Sequence, residues 1–238
     1  MAPASLTKLM TAYEARRILQ FRADVVFSKE AEAVEEKRSG VATGEVFSRD
    51  AAVELALVPS ANDAALALAE AAGAKMGGGS FDEKIALFVE RMNAQAKEMG
   101  LANTHFENPA GLDSQTHKST AQDLARIAEE IIRKDPAMLE ITREPEVHVT
   151  SRAGKIYTQE TTDELLKEFP ALLGGKTGMT DAAGGALLLL YPTRPNHTAI
   201  IIILKSDDRF GDGRKIIRWL EANCLASRGD SGERPCEP

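Results

Sequence analysis

Gly174-Gly-Lys-Thr-Gly-Met-Thr-Asp-Ala-Ala-Gly-Gly-Ala-Leu-Leu-Leu-Leu-Tyr191 places a cation and a hydroxyl in a glycine-rich strand, then runs into an unbroken apolar stretch. A second apolar run, Thr198 to Lys205, follows after Pro192-Thr-Arg-Pro-Asn196, which reads as a turn. Strands that are apolar at nearly every position are covered on both faces, so helices are expected above and below this pair. Upstream, Glu146 to Ser151, Lys155 to Gln159 and Leu172 to Gly178 also read as strands, and Asp24-Val-Val-Phe27 and Glu45-Val-Phe-Ser48 are short β-like pieces. The rest is helical by pattern. Leu6 to Ala15 repeats apolar residues at helical spacing, and Ala51 to Leu57, Asn62 to Ala72, Phe81 to Met99 and Thr120 to Ile132 follow. A last helix is expected over Gly213 to Leu225, with Ile216, Trp219 and Leu220 in the core.

The chain has 238 residues, 43% hydrophobic and 27% charged, with a net charge of -7. That length suits one large domain or two small ones, and the balance excludes a disordered or fibrous chain. No apolar stretch approaches the roughly 20 residues that span a bilayer, and none resembles an export signal. An acidic surface with only 5% aromatic residues excludes a nucleic-acid binder. Cys224 and Cys236 lie close together near the C-terminus and say little about redox compartment. Gly77 to Gly79 lacks the lysine and the preceding strand of a phosphate cradle and reads as a connector.

Three short motifs carry chemistry. Ser5-Leu-Thr-Lys8 sets a hydroxyl and an amine one helical turn apart, the arrangement in which a desolvated lysine takes the proton of a serine nucleophile. Alone it means little, since about 0.7 matches are expected by chance in this composition. Ser60-Ala-Asn62 offers a second hydroxyl and a carboxamide from a break between helices, although Ser60 would also serve as a helix cap. Lys176-Thr-Gly178 makes a strand edge where an extended peptide can lie with its carboxylate held by cation and hydroxyl, and only about 0.06 chance matches are expected. In this order the three are specific for penicillin-interacting serine enzymes.

The chain resembles the serine-type D-alanyl-D-alanine carboxypeptidases, the low-molecular-mass penicillin-binding proteins. Leu57-Val-Pro-Ser-Ala-Asn-Asp-Ala-Ala65, Thr104-His-Phe-Glu-Asn-Pro-Ala-Gly-Leu-Asp113 and Gly175 to Gly184 carry the likeness further than the short motifs do. The resemblance implies an α+β fold of the β-lactamase and transpeptidase kind: a mainly antiparallel sheet flanked by helices, with a helical lobe at about 50–135 and the α/β part at 1–25 and 140–226. The whole is one domain ending in a polar tail at 227–238. It implies Ser5 as nucleophile, Lys8 as its base, Ser60 as proton shuttle and Asn62 as holder of Lys8 and the substrate amide. Lys176 and Thr177 would bind the substrate carboxylate, with Gly178 and Met179 completing that strand; Ser5 and Met179 would supply oxyanion donors. The implied partners are D-Ala-D-Ala stem peptides of peptidoglycan and β-lactams, outside the cytoplasmic membrane, with no metal or cofactor. The family has two strands before the nucleophile helix, and four residues precede Ser5 here. The strand at Thr198 to Lys205 is therefore expected on an open sheet edge, available for self-association, in a truncated chain or one paired with another.

Three competing readings differ in what they require. A catalytically silent binder of cell-wall peptide would keep the fold without the reaction. A class A β-lactamase would need a deacylating glutamate in a Glu-x-x-x-Asn loop, and no glutamate between Asn62 and Lys176 has that spacing. A metallopeptidase would draw on His105, Asp113, His117 and Asp123, but no His-Glu-x-x-His is present. His105 reads as loop packing, His117 as surface, Asp123 as part of the capped start of the Thr120 helix, and Arg209 as a polar turn.

Overall fold

In the computed structural model, residues 1–194 and 197–225 are described; the tail at 227–238 with Cys236, and Pro195 and Asn196 of the expected turn, lie outside them. Seven strands and nine α-helices are found among the described residues. Strands β1 (Asp24–Val26) and β2 (Val46–Ser48) pair antiparallel, as do β3 (Glu146–Thr150) and β4 (Ile156–Glu160). The central sheet has the order β5 (Gly174–Thr180), β6 (Gly184–Arg194), β7 (His197–Ser206), and all of its pairings are antiparallel. Strand β6 runs into the expected turn as far as Arg194, and β7 begins at His197, with an irregular register after Pro192, a residue that has no N–H to give a ladder.

The apolar run of β6 is explained by two buried faces. Leu188 and Leu190 enter the main core with the helices, whereas Leu187, Leu189 and Tyr191 pack on the opposite face with Ile201, Ile203, Ile217 and Leu220. Each buried leucine contributes about 1.5–3 kcal/mol relative to exposure. The first helix, α1 (Thr7–Ile18), is the centre of the main core. Every residue from Thr7 to Ala15 is buried, as for a helix enclosed on all sides. Around it lie α3 (Arg49–Leu57), α4 (Asn62–Lys75) and α5 (Phe81–Glu98), the last opened by a capping box between Ser80 and Glu83. The amphipathic α6 (Ala121–Lys134) buries Leu124, Ile127, Ala128 and Ile131 and starts at a Thr120 cap. Three short helices were not expected: α2 (Lys29–Glu32), α7 (Pro136–Ile141) and α8 (Leu165–Glu168). Each is too short for its periodicity to register.

The last helix, α9 (Arg209–Leu220), starts four residues before the expected Gly213 because Asp208 caps it, accepting from the Gly211 N–H. Its buried stripe runs through Gly213, Ile217 and Leu220. Trp219 is therefore not core, as expected, but 49% exposed, with Ile216 also facing out. Among the described residues β7 pairs with β6 alone, so its other edge is open. No helix among the described residues is long and apolar enough to cross a membrane.

Candidate active site

Ser5 sits in a single 3-10 turn, Ala4–Leu6, that leads into α1. Ala4 before it holds a left-handed φ of 48°, uncommon for a residue with a Cβ. Residues three apart on successive helical turns share a face, which brings Lys8 of α1 under Ser5. Lys8 Nζ lies 2.7 Å from Ser5 Oγ, 2.7 Å from Asn62 Oδ1 and 2.8 Å from the Ala110 carbonyl. The side chain is wholly buried, and that burial, followed by the nearby charge of Lys37, pulls its pKa down to about 7. A neutral amine has two N–H bonds and one lone pair. With Asn62 and Ala110 accepting the N–H bonds, the lone pair is left for the Ser5 hydroxyl.

Ser60 also holds a left-handed φ, 66°, and is buried. It does not cap α4, whose N-cap is Ala61. Its hydroxyl accepts instead from Lys176 Nζ at 2.7 Å, and Lys176 is not the exposed strand-end lysine its position suggests but 1% exposed. Burial first, then Lys8 and Lys37, holds the Lys176 ammonium well below the ordinary lysine range. Asn62 is oriented from its other side: Nδ2 donates to the Glu35 carbonyl and its backbone N–H to the Lys37 carbonyl, which leaves Oδ1 for Lys8.

Strand β5 closes the cleft. A Cβ at Gly178 would lie 3.0 Å from the Ser5 nitrogen and from Ala4 Cβ, a tight contact that a larger residue would relieve only by pushing the strand or the nucleophile turn back. Thr177 Oγ1 meets Thr162 Oγ1 at 2.5 Å, and Met179 beyond it is 59% exposed. Of the eight expected site residues, Ser5, Lys8 and Asn62 share one hydrogen-bonded group and Ser60 and Lys176 a second beside it, with Thr177, Gly178 and Met179 following on β5.

The loop at 108–113 supplies what spacing did not disclose. Asn108 Oδ1 accepts from the N–H groups of Ala110, Gly111 and Leu112, curling the loop so that the Ala110 carbonyl meets Lys8. Gly111, at φ +83°, passes so near the Ala4 carbonyl that a Cβ there would lie 1.9 Å from it. The two histidines exchange their expected places. His105 is exposed beside Glu107, whereas His117 is 3% exposed, with Nε2 2.8 Å from Thr7 Oγ1 and Nδ1 accepting from the Glu107 N–H. Thr7 lies inside the nucleophile motif, a contact across 110 residues that local pattern cannot reveal. Asp113 accepts from Thr180 and Ala182, tying its loop to the end of β5 and the turn after it, and Asp123 on α6 accepts from Asn103 and Thr104. Asp123 does follow the Thr120 cap, whose Oγ1 accepts from its N–H.

A sequence model of the D-alanyl-D-alanine carboxypeptidase family matches residues 1–207. The chain belongs to the D-alanyl-D-alanine carboxypeptidase family. It is 32% identical to D-alanyl-D-alanine carboxypeptidase DacF of Bacillus subtilis over 77% of this chain and 46% of that protein. It is also 32% identical to D-alanyl-D-alanine carboxypeptidase DacD of Escherichia coli, over 93% and 57% respectively. The chain thus spans about half the length of these relatives. Its fold superimposes on the crystal structure of a Streptomyces DD-transpeptidase with a TM-score of 0.81 at 26% identity, covering 93% of this chain and 88% of the other.

Two further residues lie beside β5. Arg209 is not in a turn but is the first residue of α9, with its guanidinium over the Phe210 ring, Nη1 3.8 Å from Met179 Sδ and a buried Nε without a hydrogen-bond partner. Asp163 is buried behind β5, accepting from the Leu165 N–H through Oδ1 while Oδ2 has no partner. Burial pushes its carboxyl pKa up to about 6, against the opposing pull of the Leu165 N–H and the Lys176 charge.

Proposed function

We propose that this chain is a serine D-Ala-D-Ala carboxypeptidase that trims the terminal D-alanine from peptidoglycan stem peptides on the outer side of the cytoplasmic membrane. The peptide lies along the free edge of β5 with its terminal carboxylate between Thr177, Lys176 and Arg209. Lys8 takes the Ser5 proton, and Oγ attacks the carbonyl between the two D-alanines. The resulting oxyanion is held by the N–H groups of Ser5 and Met179, a kind of donor whose loss lowers rates about 10²- to 10³-fold. The C–N bond then breaks as the leaving amine receives a proton by way of Ser60, and water hydrolyses the Ser5 ester. β-Lactams enter the same first step and remain attached.

The observation that carries this reading is the Lys8 nitrogen at 2.7 Å from both Ser5 Oγ and Asn62 Oδ1. Mass spectrometry after exposure to penicillin tests it. One adduct per chain, mapped to Ser5 and lost in Ser5→Ala, is expected. No adduct would favour the silent binder, and rapid turnover of penicillin would favour the β-lactamase. We also propose that the open edge of β7 pairs with another strand, a second copy of this chain included.

A further inference from the structure

Met179 has a side chain that the proposed reaction does not use. Among the described methionines, Met10, Met92 and Met138 are buried, and only Met1, Met76 and Met179 are strongly exposed. Met179 alone of these exposed three stands on the strand that carries the lysine-threonine-glycine motif, and its sulfur is 3.8 Å from Arg209 Nη1. We propose that Met179 is an oxidation site through which hydrogen peroxide weakens carboxylate binding at Arg209. A thioether lone pair attacks one oxygen of hydrogen peroxide, the O–O bond breaks, and the S–O bond forms. Sulfur loses two electrons, and the other peroxide oxygen leaves as water after proton transfer. The sulfoxide oxygen is a far stronger acceptor than the thioether. From this position it takes a hydrogen bond from the guanidinium, and the arginine is drawn away from its anionic ligand. Reduction of the sulfoxide by a methionine sulfoxide reductase releases the cation again.

The inference rests on the carboxypeptidase reading, and its test separates the two. The protein is treated with limiting hydrogen peroxide, its methionine peptides are mapped by mass spectrometry, and KM and kcat are measured on a D-Ala-D-Ala peptide. Met179 is expected to oxidise with Met1 and Met76 and ahead of the buried methionines. KM should then rise about ten- to hundredfold, as for loss of one hydrogen bond to a charged group, with kcat nearly constant and the melting temperature unchanged. Methionine sulfoxide reductase should reverse the change. Met179→Leu, compared only with itself before and after peroxide, should keep its KM. An active protein whose KM is indifferent to Met179 oxidation, or a Met179→Leu protein that loses affinity equally, overturns the inference alone. An untreated protein that neither binds nor cleaves the peptide overturns the carboxypeptidase reading and the inference together.

Discussion

Lys8 has its pKa near neutrality, so the acylation step should be governed by one proton. Only the neutral amine can accept from Ser5, and the neutral fraction falls about tenfold for each pH unit below 7. The second-order rate of acylation by penicillin should therefore rise between pH 5 and 7 and level off above about pH 8. A flat profile across that range, measured by stopped-flow labelling, would exclude Lys8 as the base. At this scale much of the site was legible beforehand. Ser5, Lys8, Ser60, Asn62, Lys176 and Thr177 each carry a chemically distinctive side chain at a fixed spacing. The Ala110 carbonyl was not legible, because a backbone acceptor leaves no mark in residue type. His117 was misplaced for another reason: its burial is decided by Thr7 at the far end of a long chain excursion.

The loop at 108–113 positions chemistry through backbone geometry, and Asn108 is its organiser. Asn108→Ala would leave three N–H groups without their acceptor, at a stability loss of about 1–3 kcal/mol. It would also move the Ala110 carbonyl from Lys8, so acylation should slow by more than the melting temperature alone accounts for. Labelling rates well below the melting point distinguish the two effects; an unchanged rate would mean that Ala110 does not hold the base. Strands were the more legible elements. The double-sided burial of β6 was apparent in its unbroken leucines, and the helix-to-strand order in the change of period. The start and facing of α9 were not, because Gly211 and Gly213 weaken the helical pattern where Asp208 in fact caps it. Trp219 then falls one position off the buried stripe.

Among the described residues the central sheet combines a covered interior with two edges, β5 beside the nucleophile turn and β7 away from it. The helices enclose α1, and α8 and α9 lie on the outer face of the sheet, yet among the described residues β7 bonds on one side only. Its central residues, Ala199-Ile-Ile-Ile-Ile-Leu204, carry no charge or proline to discourage pairing. We expect concentration-dependent association, and sedimentation velocity on the full chain should give a weight-average mass above that of one chain as loading increases. A single sharp monomer boundary at high loading would rule it out. The cleft and this border belong to the same small sheet, since β5 and β7 flank β6. Rates measured at nanomolar enzyme and structures grown from concentrated stock would then describe different particles, and potency comparisons among inhibitors would carry a hidden dependence on dilution.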